Sequence, residues 1–314
     1  MQTIPQLIEQ FSSVKHIAFE QPDNEIVLVK VDNSFATATI SLYGGQVVQW
    51  QPKSQDAPVL WCSEQVQYKQ GKAVRAGVPI CWPWFGAHPV EKNAPSHGYA
   101  RLSGWHLSSL LTTPAGETEL CMTMLDSLPR SSVAGDGAGS GVTNVVAIAA
   151  GLTIKVLIGE ELSIELVTTN TGIEPVTITE ALHAYFFVSD IAQIKISGLN
   201  QCTYVDLLDD NMLKSQSGAI EFSEELGRVY LDTAGDCIVE DSVLNRTIRI
   251  AKTGSQSTVV WNPWLETASK MDDLGATCWT SLVCVESANA LTNSLSIAPG
   301  KQHAMKVVYS LAKL

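Results

Sequence analysis

Among the six histidines of the sequence, His183 stands apart because of the side chains that alternate with it. In residues 176–190, VTITEALHAYFFVSD, the positions that share its parity carry hydroxyl groups, aromatic rings or alanine, and the positions between them are mainly apolar. Successive side chains of a strand point to opposite faces, so the pattern predicts one core face and one ligand-facing surface. The alternative interpretation is a core histidine satisfied by a backbone carbonyl.

A second ionisable residue, Glu286, closes the apolar segment 279–287, WTSLVCVES. A carboxylate in that place lies either at the solvated rim of a sheet or half buried within it. Half burial would raise its pKa towards neutrality, which suits a general base. Together with His183 on a concave sheet, Glu286 would form an acid/base pair.

Two segments supply cationic side chains beside rigid or aromatic neighbours. Residues 75–86, RAGVPICWPWFG, begin with Arg75, and residues 95–105, PSHGYARLSGW, contain His97 and Arg101. Two fixed guanidinium groups could hold a phosphate through paired hydrogen bonds. The alternatives are a packed loop whose arginine reaches out to water, and an exposed ion pair that contributes little to stability.

The elements that must position these residues are predicted to be strands. Apolar and polar residues alternate over 152–158 and again over 162–166, on either side of a Gly-Glu-Glu turn, which predicts a β-hairpin. Other short strands are predicted in AFE, IVLVKV, FATATISLYGG, TELCMTML, DCIVE, TIRIAK, STVVWN, TSLVCVE and AMKVVYSL. No long helical pattern alternates with them, which favours a large antiparallel sandwich over a βαβ sheet. A short amphipathic helix is predicted at the start, from the spacing of Ile4, Leu7, Ile8 and Phe11.

Composition limits the possible partners. The chain has 314 residues, of which 45% are hydrophobic and 17% charged, as is typical of a globular protein. A net charge of −12 argues against nucleic acid or an anionic membrane as the main partner, because both require a basic surface. We find no secretion signal and no apolar run long enough to span a bilayer. The seven irregularly spaced cysteines indicate reduced thiols, so we expect a cytoplasmic protein.

No repeat or linker divides the chain, so we predict a single domain over residues 1–314, with 1–25 as an N-terminal helix and lead-in. The glycine-rich segment 131–142, SSVAGDGAGSGV, lacks both the GxGxxG register and the lysine of a phosphate-binding loop. We therefore expect a flexible surface loop between strands at 131–142.

Five motifs in chain order carry a family resemblance: RAGVPICWPWFG, HGYARLSGW, EALHAYF, VVWNPW and LVCVE. From the region of Lys30 to the C-terminus, the sequence resembles the hexose-6-phosphate mutarotases, the glucose-6-phosphate 1-epimerase branch of the aldose 1-epimerase superfamily. The resemblance implies an all-β fold, namely a galactose-mutarotase-like β-supersandwich of antiparallel strands with a few short helices. It also implies a shallow cleft on one concave sheet.

Carried over residue by residue, the resemblance implies that His183 is the general acid and Glu286 the general base. It implies phosphate or sugar contacts at Arg75 and Arg101, with Arg75 at the anionic end of the ligand. Further substrate contacts or cleft walls are implied at His97, at Ser96 (where some relatives carry glutamine) and at Trp82, Trp84 and Phe85.

One segment departs from the relatives. They resemble E-x-D-R-V-Y where this chain reads ELGRVY at 225–230, so their sugar-binding aspartate falls on Gly227. Glu225 shares strand parity with Gly227 and is the expected substitute as a substrate ligand. We expect a working enzyme that binds its substrate weakly.

The implied activity is exchange between the α and β anomers of a hexose 6-phosphate, first of all glucose 6-phosphate. His183 would protonate the ring oxygen while Glu286 takes the proton of the C1 hydroxyl, so that the ring opens and can close on the other face. No metal or other cofactor is required, and the expected partner is the small-molecule sugar phosphate, bound by a monomer. Two alternatives stay open: an aldose 1-epimerase acting on unphosphorylated sugars, and a non-catalytic carbohydrate-binding or sensing protein.

Overall fold

The computed structural model describes residues 2–125 and 148–314, so the predicted loop at 131–142 lies outside the described residues. Within these ranges the α-helices are α1 (Ile4–Gln10) and α2 (Trp264–Ser269). Short 3-10 helices lie at Pro22–Asn24, Ala100–Leu102, Ile191–Gln193, Cys278–Thr280 and Leu291–Asn293. No helix in the described ranges has both the length and the apolar character needed to cross a membrane.

Strands form the rest of the regular secondary structure in the described ranges. The first nine are β1 (Ile17–Glu20), β2 (Leu28–Asp32), β3 (Ala36–Ser41), β4 (Val47–Pro52), β5 (Ile80–Cys81), β6 (Trp105–Thr112), β7 (Thr118–Met124), β8 (Ala150–Ile158) and β9 (Leu162–Asn170). The next seven are β10 (Val176–Ile178), β11 (Glu180–Leu182), β12 (Tyr185–Phe187), β13 (Ile194–Ser197), β14 (Thr203–Asp206), β15 (Met212–Ser215) and β16 (Leu226–Tyr230). The last six are β17 (Cys237–Asp241), β18 (Arg246–Thr253), β19 (Ser257–Asn262), β20 (Leu282–Asn289), β21 (Leu295–Ile297) and β22 (Gln302–Ala312).

Two eight-stranded sheets contain most of these strands. The site sheet has the order β15-β14-β16-β19-β20-β11-β5, and β12 also pairs with β20. The back sheet has the order β13-β17-β18-β22-β9-β8-β7-β6. Strands β1 to β4 form a four-stranded sheet, and β10 pairs with β21. Pairing between these strands is antiparallel, so the predicted antiparallel all-β class is confirmed.

The hairpin predicted from alternation at 152–166 is present as β8 and β9. Ile158 pairs with Leu162 beside the turn, and the register continues to Ala150 opposite Asn170. Every second residue of both strands is buried. Alternation predicted this hairpin correctly because one face of each strand packs on the core and the other does not.

The main core lies between the two large sheets. Leu182 and Phe186 come from the site sheet, whereas Ile164 and Tyr309 come from the back sheet, and all four belong to one buried apolar cluster. The rings of Phe186 and Tyr309 meet edge to face, with their centroids 5.2 Å apart. Fully burying a side chain of this size contributes about 1.5–3 kcal/mol, so this face fixes how the site sheet lies on the back sheet.

The predicted continuous strand at 176–190 is wrong, because this segment is divided among three short strands. β10 pairs with β21, whereas β11 and β12 pair with β20. Between β11 and β12, the backbone N–H of His183 donates to Pro79 O over 2.9 Å instead of to β20. The alternation of faces nevertheless persists, since Ile178, Leu182 and Phe186 all enter the main core. His183 therefore lies in a gap of the strand, on the face opposite the core.

The short N-terminal helix is present as α1. Leu7 and Phe11 are buried against the main core, whereas Ile8 is exposed, so the apolar stripe is narrower than its spacing predicted. The N-cap residue Thr3 forms a capping box with Gln6, whose Oε1 accepts from the backbone N–H of Thr3 over 2.9 Å.

Candidate active site

The structure brings His183 and Glu286 together on the site sheet. His183 Nε2 lies 3.3 Å from Glu286 Oε1. Glu286 stands within β20, directly opposite Val259 of β19, and β20 continues as far as Asn289. The two predicted acid/base candidates, 103 positions apart by number, therefore meet because β11, β12 and β20 are neighbours in one sheet.

Glu286 is buried more deeply than either sequence interpretation expected, with a relative exposure of 1%. Burial raises the pKa of its carboxyl well above the usual value, and the positive charge of Arg101 offsets only part of this effect. Its second oxygen, Oε2, is buried and has no hydrogen-bond partner among the described residues. A carboxyl of this kind is poised to exchange a proton with a ligand that reaches it.

His183 is buried as well, and its pKa is lowered well below the usual value. Burial is the main cause, and the neighbouring His97, Arg75 and Arg101 act in the same direction. The imidazole stacks on the ring of Tyr185, with the centroids 4.8 Å apart and the planes inclined by 22°. Stacking holds the imidazole against β12 with Nε2 towards Glu286.

The two shifts together describe a coupled pair. A raised carboxyl pKa and a lowered imidazole pKa both favour uncharged groups, which is a state in which the pair holds one proton. That proton count is the same whether the proton lies on Glu286 or on His183. The 3.3 Å contact offers a direct path between the two arrangements.

His97 lies next to this pair as a neutral imidazole. Its ring centroid is 5.6 Å from that of His183 and 5.0 Å from that of Phe85. Its Nδ1 accepts a hydrogen bond from the backbone N–H of Gly86 over 3.2 Å, so the neutral ring carries its proton on Nε2. Burial, together with Arg101 and Arg75, lowers the pKa of His97 to about 3. His97 can therefore donate a hydrogen bond to a ligand while remaining uncharged.

The loop geometry at His97 explains the histidine-glycine pair of its motif. His97 has a φ of 62° and Gly98 one of 74°. A Cβ at Gly98 would lie 2.1 Å from Trp82 O, which is far inside contact distance. Only glycine fits there, because the backbone must approach Trp82 closely in a left-handed conformation.

Arg75 is held by two groups of the protein. Its Nε and Nη2 both donate to Asp273 Oδ2, over 3.1 and 2.9 Å, and its Nη1 donates to the hydroxyl of Tyr185 over 3.0 Å. Burial disfavours its charge, but Tyr185 and Asp273 outweigh burial and raise the pKa of Arg75. The guanidinium is therefore fixed near the candidate pair His183 and Glu286, and Asp273 balances its charge.

Arg101, in contrast, forms no salt bridge within the described residues. Its Nη2 donates to the backbone carbonyl of Ser96 over 2.6 Å, and its buried Nε has no partner there. Its charge acts on His97, His183 and Glu286 at once. Arg101 thus supplies an uncompensated positive charge at the site, while the side chain of Ser96 is exposed.

The structure does not bring Trp82 to the ligand face. Its side chain is 0% exposed, and its Nε1 donates to Thr168 Oγ1 of β9 over 3.1 Å. Trp84 is also buried, and its Nε1 donates to Pro95 O over 3.0 Å. These two rings support the site from the core and the 84–99 loop, whereas the half-buried Phe85 lies against His97. The expectation that Trp82 contacts the substrate is corrected on this ground.

Glu225 does not contact the candidate acid/base pair either. It precedes β16, and its Oε2 accepts from Thr267 Oγ1 of α2 over 2.7 Å. Gly227 lies on β16 opposite Trp261, and Trp261 in turn pairs with Cys284. A Cβ at Gly227 would meet Leu207, Leu208 and Trp261 at 3.6–3.7 Å, which is ordinary contact distance.

A group of small and apolar side chains forms a buried cluster on strands of the site sheet. They form one buried cluster whose core members are Cys81, Ala181, Val229, Val259, Ala288 and Ala290. Water is poorly accommodated along such a surface, which strengthens the electrostatic effects on Glu286 and His183.

His183, Cys284 and Glu286 also offer donor atoms within 4.8 Å of one another, which is compatible with a metal ion. Thiolate, not thiol, binds metals, and burial raises the pKa of Cys284 well above its usual value. The positive charges of Arg75 and Arg101 act on the same groups. This donor set is therefore poorly suited to a cation, and it is well suited to proton transfer.

The sequence did not reveal two residues of the site. Tyr185 shares the predicted ligand face, but nothing in its spacing marked it as the group that links His183 to Arg75. Asp273 lies 198 positions from its partner Arg75, in a loop without a strand or helix pattern. Only the folded chain brings this carboxylate to the site.

Solved structures show the class of this fold. A protein from Salmonella typhimurium, provisionally described as a mutarotase, matches with a TM-score of 0.82 and 26% identity. The match covers 98% of this chain and 100% of that one. The fold is the galactose-mutarotase-like β-supersandwich, as predicted.

Sequence comparison identifies the family. The profile of the Aldose 1-epimerase family matches residues 27–310. A relative from Salmonella typhimurium is 31% identical over 285 residues, which are 90% of this chain and 89% of the relative. A relative from Cenchrus ciliaris is 30% identical over 278 residues, 87% of this chain and 80% of the relative. Both are provisionally named glucose-6-phosphate 1-epimerases. The chain belongs to the aldose 1-epimerase family.

Proposed function

We propose that this protein is an isomerase that exchanges the α and β anomers of a hexose 6-phosphate, with glucose 6-phosphate as the preferred substrate. The observation that carries the proposal is the buried contact of His183 with Glu286, whose pKa values are shifted in opposite directions. Anomer exchange requires one group to give a proton and another to take one, and this pair holds one proton between them. The names of the two relatives support the same reaction.

In the proposed reaction, the pair's proton lies on His183 when the ring opens. His183 gives it to the ring oxygen, and Glu286 takes the proton of the C1 hydroxyl, for which the unpartnered Oε2 is the available acceptor. The C1–O5 bond breaks, the C1 oxygen becomes an aldehyde, and rotation about C1–C2 presents the other face. Closure reverses both transfers, so each group returns to its starting state.

Recognition of the phosphate is assigned to the positive charge of Arg101. It has no acidic partner in the described chain, whereas Arg75 is already balanced by Asp273. A charge-assisted hydrogen bond from a guanidinium suits a phosphate oxygen, and the overall negative charge of the protein makes such a local cation necessary. His97 adds a neutral donor beside the catalytic pair.

The proposal also covers the oligomeric state and the cellular location of the protein. We propose a monomer, because the residues of the site come from strands and loops of one chain. We propose a cytoplasmic location, supported by seven free cysteines, including two that lie in the site sheet.

The experiment that tests the proposal is two-dimensional exchange NMR on glucose 6-phosphate, with glucose measured alongside. The protein should speed anomer exchange of both sugars, and it should act faster on glucose 6-phosphate than on glucose. Arg101→Ala should weaken binding of glucose 6-phosphate by about 1.5–3 kcal/mol and leave glucose unaffected. Faster exchange of glucose than of glucose 6-phosphate would instead identify an epimerase of unphosphorylated sugars.

A further inference from the structure

Asp273 presents an accessible carboxylate oxygen next to the guanidinium of Arg75. It lies on the loop between α2 and the 3-10 helix at Cys278–Thr280, and its side chain has a relative solvent exposure of 47%. Its Oδ2 accepts both hydrogen bonds from Arg75. Its Oδ1 accepts none from the described residues, so one oxygen is free for a ligand.

Asp273 is also connected to the catalytic residues through contacts. Arg75 bridges from Asp273 Oδ2 to the hydroxyl of Tyr185, and the ring of Tyr185 stacks on His183. Glu286 completes the series at 3.3 Å from His183. A group bound at Asp273 and a group bound at the acid/base pair thus lie at two ends of one rigid arrangement.

This arrangement suits a sugar ring better than it suits a phosphate. An arginine whose charge is balanced by a carboxylate has little net attraction for an anion. A carboxylate oxygen beside a guanidinium N–H, however, provides the acceptor and donor that a hydroxyl group needs. Gly227 offers no such acceptor, because it lacks a side chain and its neighbours are Leu207, Leu208 and Trp261.

We propose that Asp273 is a substrate-binding residue whose Oδ1 accepts a hydrogen bond from a ring hydroxyl of the sugar. Arg75, fixed by Asp273 and Tyr185, donates to the same or the adjacent hydroxyl. Asp273 and Arg75 together recognise the sugar ring, and Arg101 is left to recognise the phosphate. This inference rests on the proposed function.

The test is Asp273→Asn, with Asp272→Asn as the matched control. Asp272 is the exposed neighbour of Asp273, so its change alters the net charge equally without touching Arg75. KM and kcat are measured by exchange NMR for glucose and for glucose 6-phosphate. Asp273→Asn should raise KM for both sugars by the same factor, about ten- to a hundredfold, and leave the pH profile unchanged. Asp272→Asn should leave KM unchanged.

Two results would overturn the inference. An unchanged KM in Asp273→Asn would show that Oδ1 meets no hydroxyl. A lower KM for glucose 6-phosphate alone would show that Asp273 only screens Arg75, which would then be a phosphate ligand.

A second measurement relies on the ligand and does not depend on how well one variant folds. Calorimetric binding of 2-, 3- and 4-deoxyglucose should show one sugar that binds the wild-type protein more weakly than glucose does. The Asp273→Asn variant should bind this deoxy sugar and glucose with equal affinity, because the missing hydroxyl and the missing carboxylate are partners. The inference would be contradicted if, for every deoxy sugar, the loss of affinity from the missing hydroxyl simply added to the loss from Asp273→Asn. Absence of any catalysed exchange in the wild-type protein would defeat the proposed function, whereas these binding data would still decide the role of Asp273.

Discussion

Glu180 lies directly opposite Asn289 in the β11–β20 pair, and its Oε1 accepts a hydrogen bond from Asn289 Nδ2 over 3.0 Å. Both side chains are fully buried. Glu180 stands three residues before His183, and Asn289 stands three residues after Glu286. This bond therefore holds the two strands of the acid/base pair in one register.

Asn289→Ala should destabilise the protein and misalign the pair. The change leaves the buried carboxylate of Glu180 with one partner fewer, and it also removes the bond from Asn289 Nδ2 to Gly254 O. We expect a loss of about 1–3 kcal/mol in the free energy of unfolding, measured by urea denaturation. Gln70→Ala, at an exposed amide, serves as the control. A variant as stable as the control would contradict the role given to this bond.

The pH dependence of the reaction should reflect a pair that works with one proton. Because the pKa of His183 is lowered, a second proton binds only below about pH 6.5, so the acid limb lies below that value. Because the pKa of Glu286 is raised, the single proton is retained well above pH 4.5, and the basic limb follows its loss. The profile of kcat/KM should therefore have its acid limb below pH 6.5 and its basic limb above pH 4.5.

Free glucose is the substrate for that profile, because a phosphate group itself titrates near pH 6. Glu286→Gln should also remove the basic limb from the residual activity. A single titration centred on 6.5 would indicate an exposed, unperturbed histidine and would contradict the buried pair.

Gly227→Asp should strengthen substrate binding. The position tolerates a side chain, since a Cβ would make only ordinary contacts with Leu207, Leu208 and Trp261. A carboxylate there adds an acceptor for sugar hydroxyls, so we expect KM to fall for glucose and glucose 6-phosphate alike. KM is measured by exchange NMR, and an equal or higher KM would show that Gly227 does not correspond to the aspartate of its relatives.

Much of the fold could be predicted from local patterns. Alternation located the β8–β9 hairpin because the burial of its two faces differs sharply along both strands. It also separated the two faces around His183, even though the predicted single strand is divided. The division could not be foreseen, because β10 pairs with β21 whereas β11 pairs with β20. Both partner strands lie far along the chain, so no local pattern reveals this choice.

The site could be predicted only in part, for similar reasons. His183 and Glu286 were selected because an imidazole and a carboxylate are unusual among such neighbours, and their roles remain a proposal. The depth of Glu286 depends on what covers β20, and the direction of Trp82 depends on the back sheet. Asp273 was missed because its link to Arg75 spans 198 positions. Such properties belong to tertiary packing.

The most direct test of the account is the rate of anomer exchange of glucose 6-phosphate in wild-type protein, His183→Ala and Glu286→Gln. Neither substitution opens a large apolar cavity, so both variants should remain folded. The wild-type protein should speed exchange well beyond the buffer rate. Each variant should lower the enzymatic rate by about two to four orders of magnitude, the contribution of one proton-transfer group. Exchange near the wild-type rate in either variant would contradict the assignment of the acid/base pair.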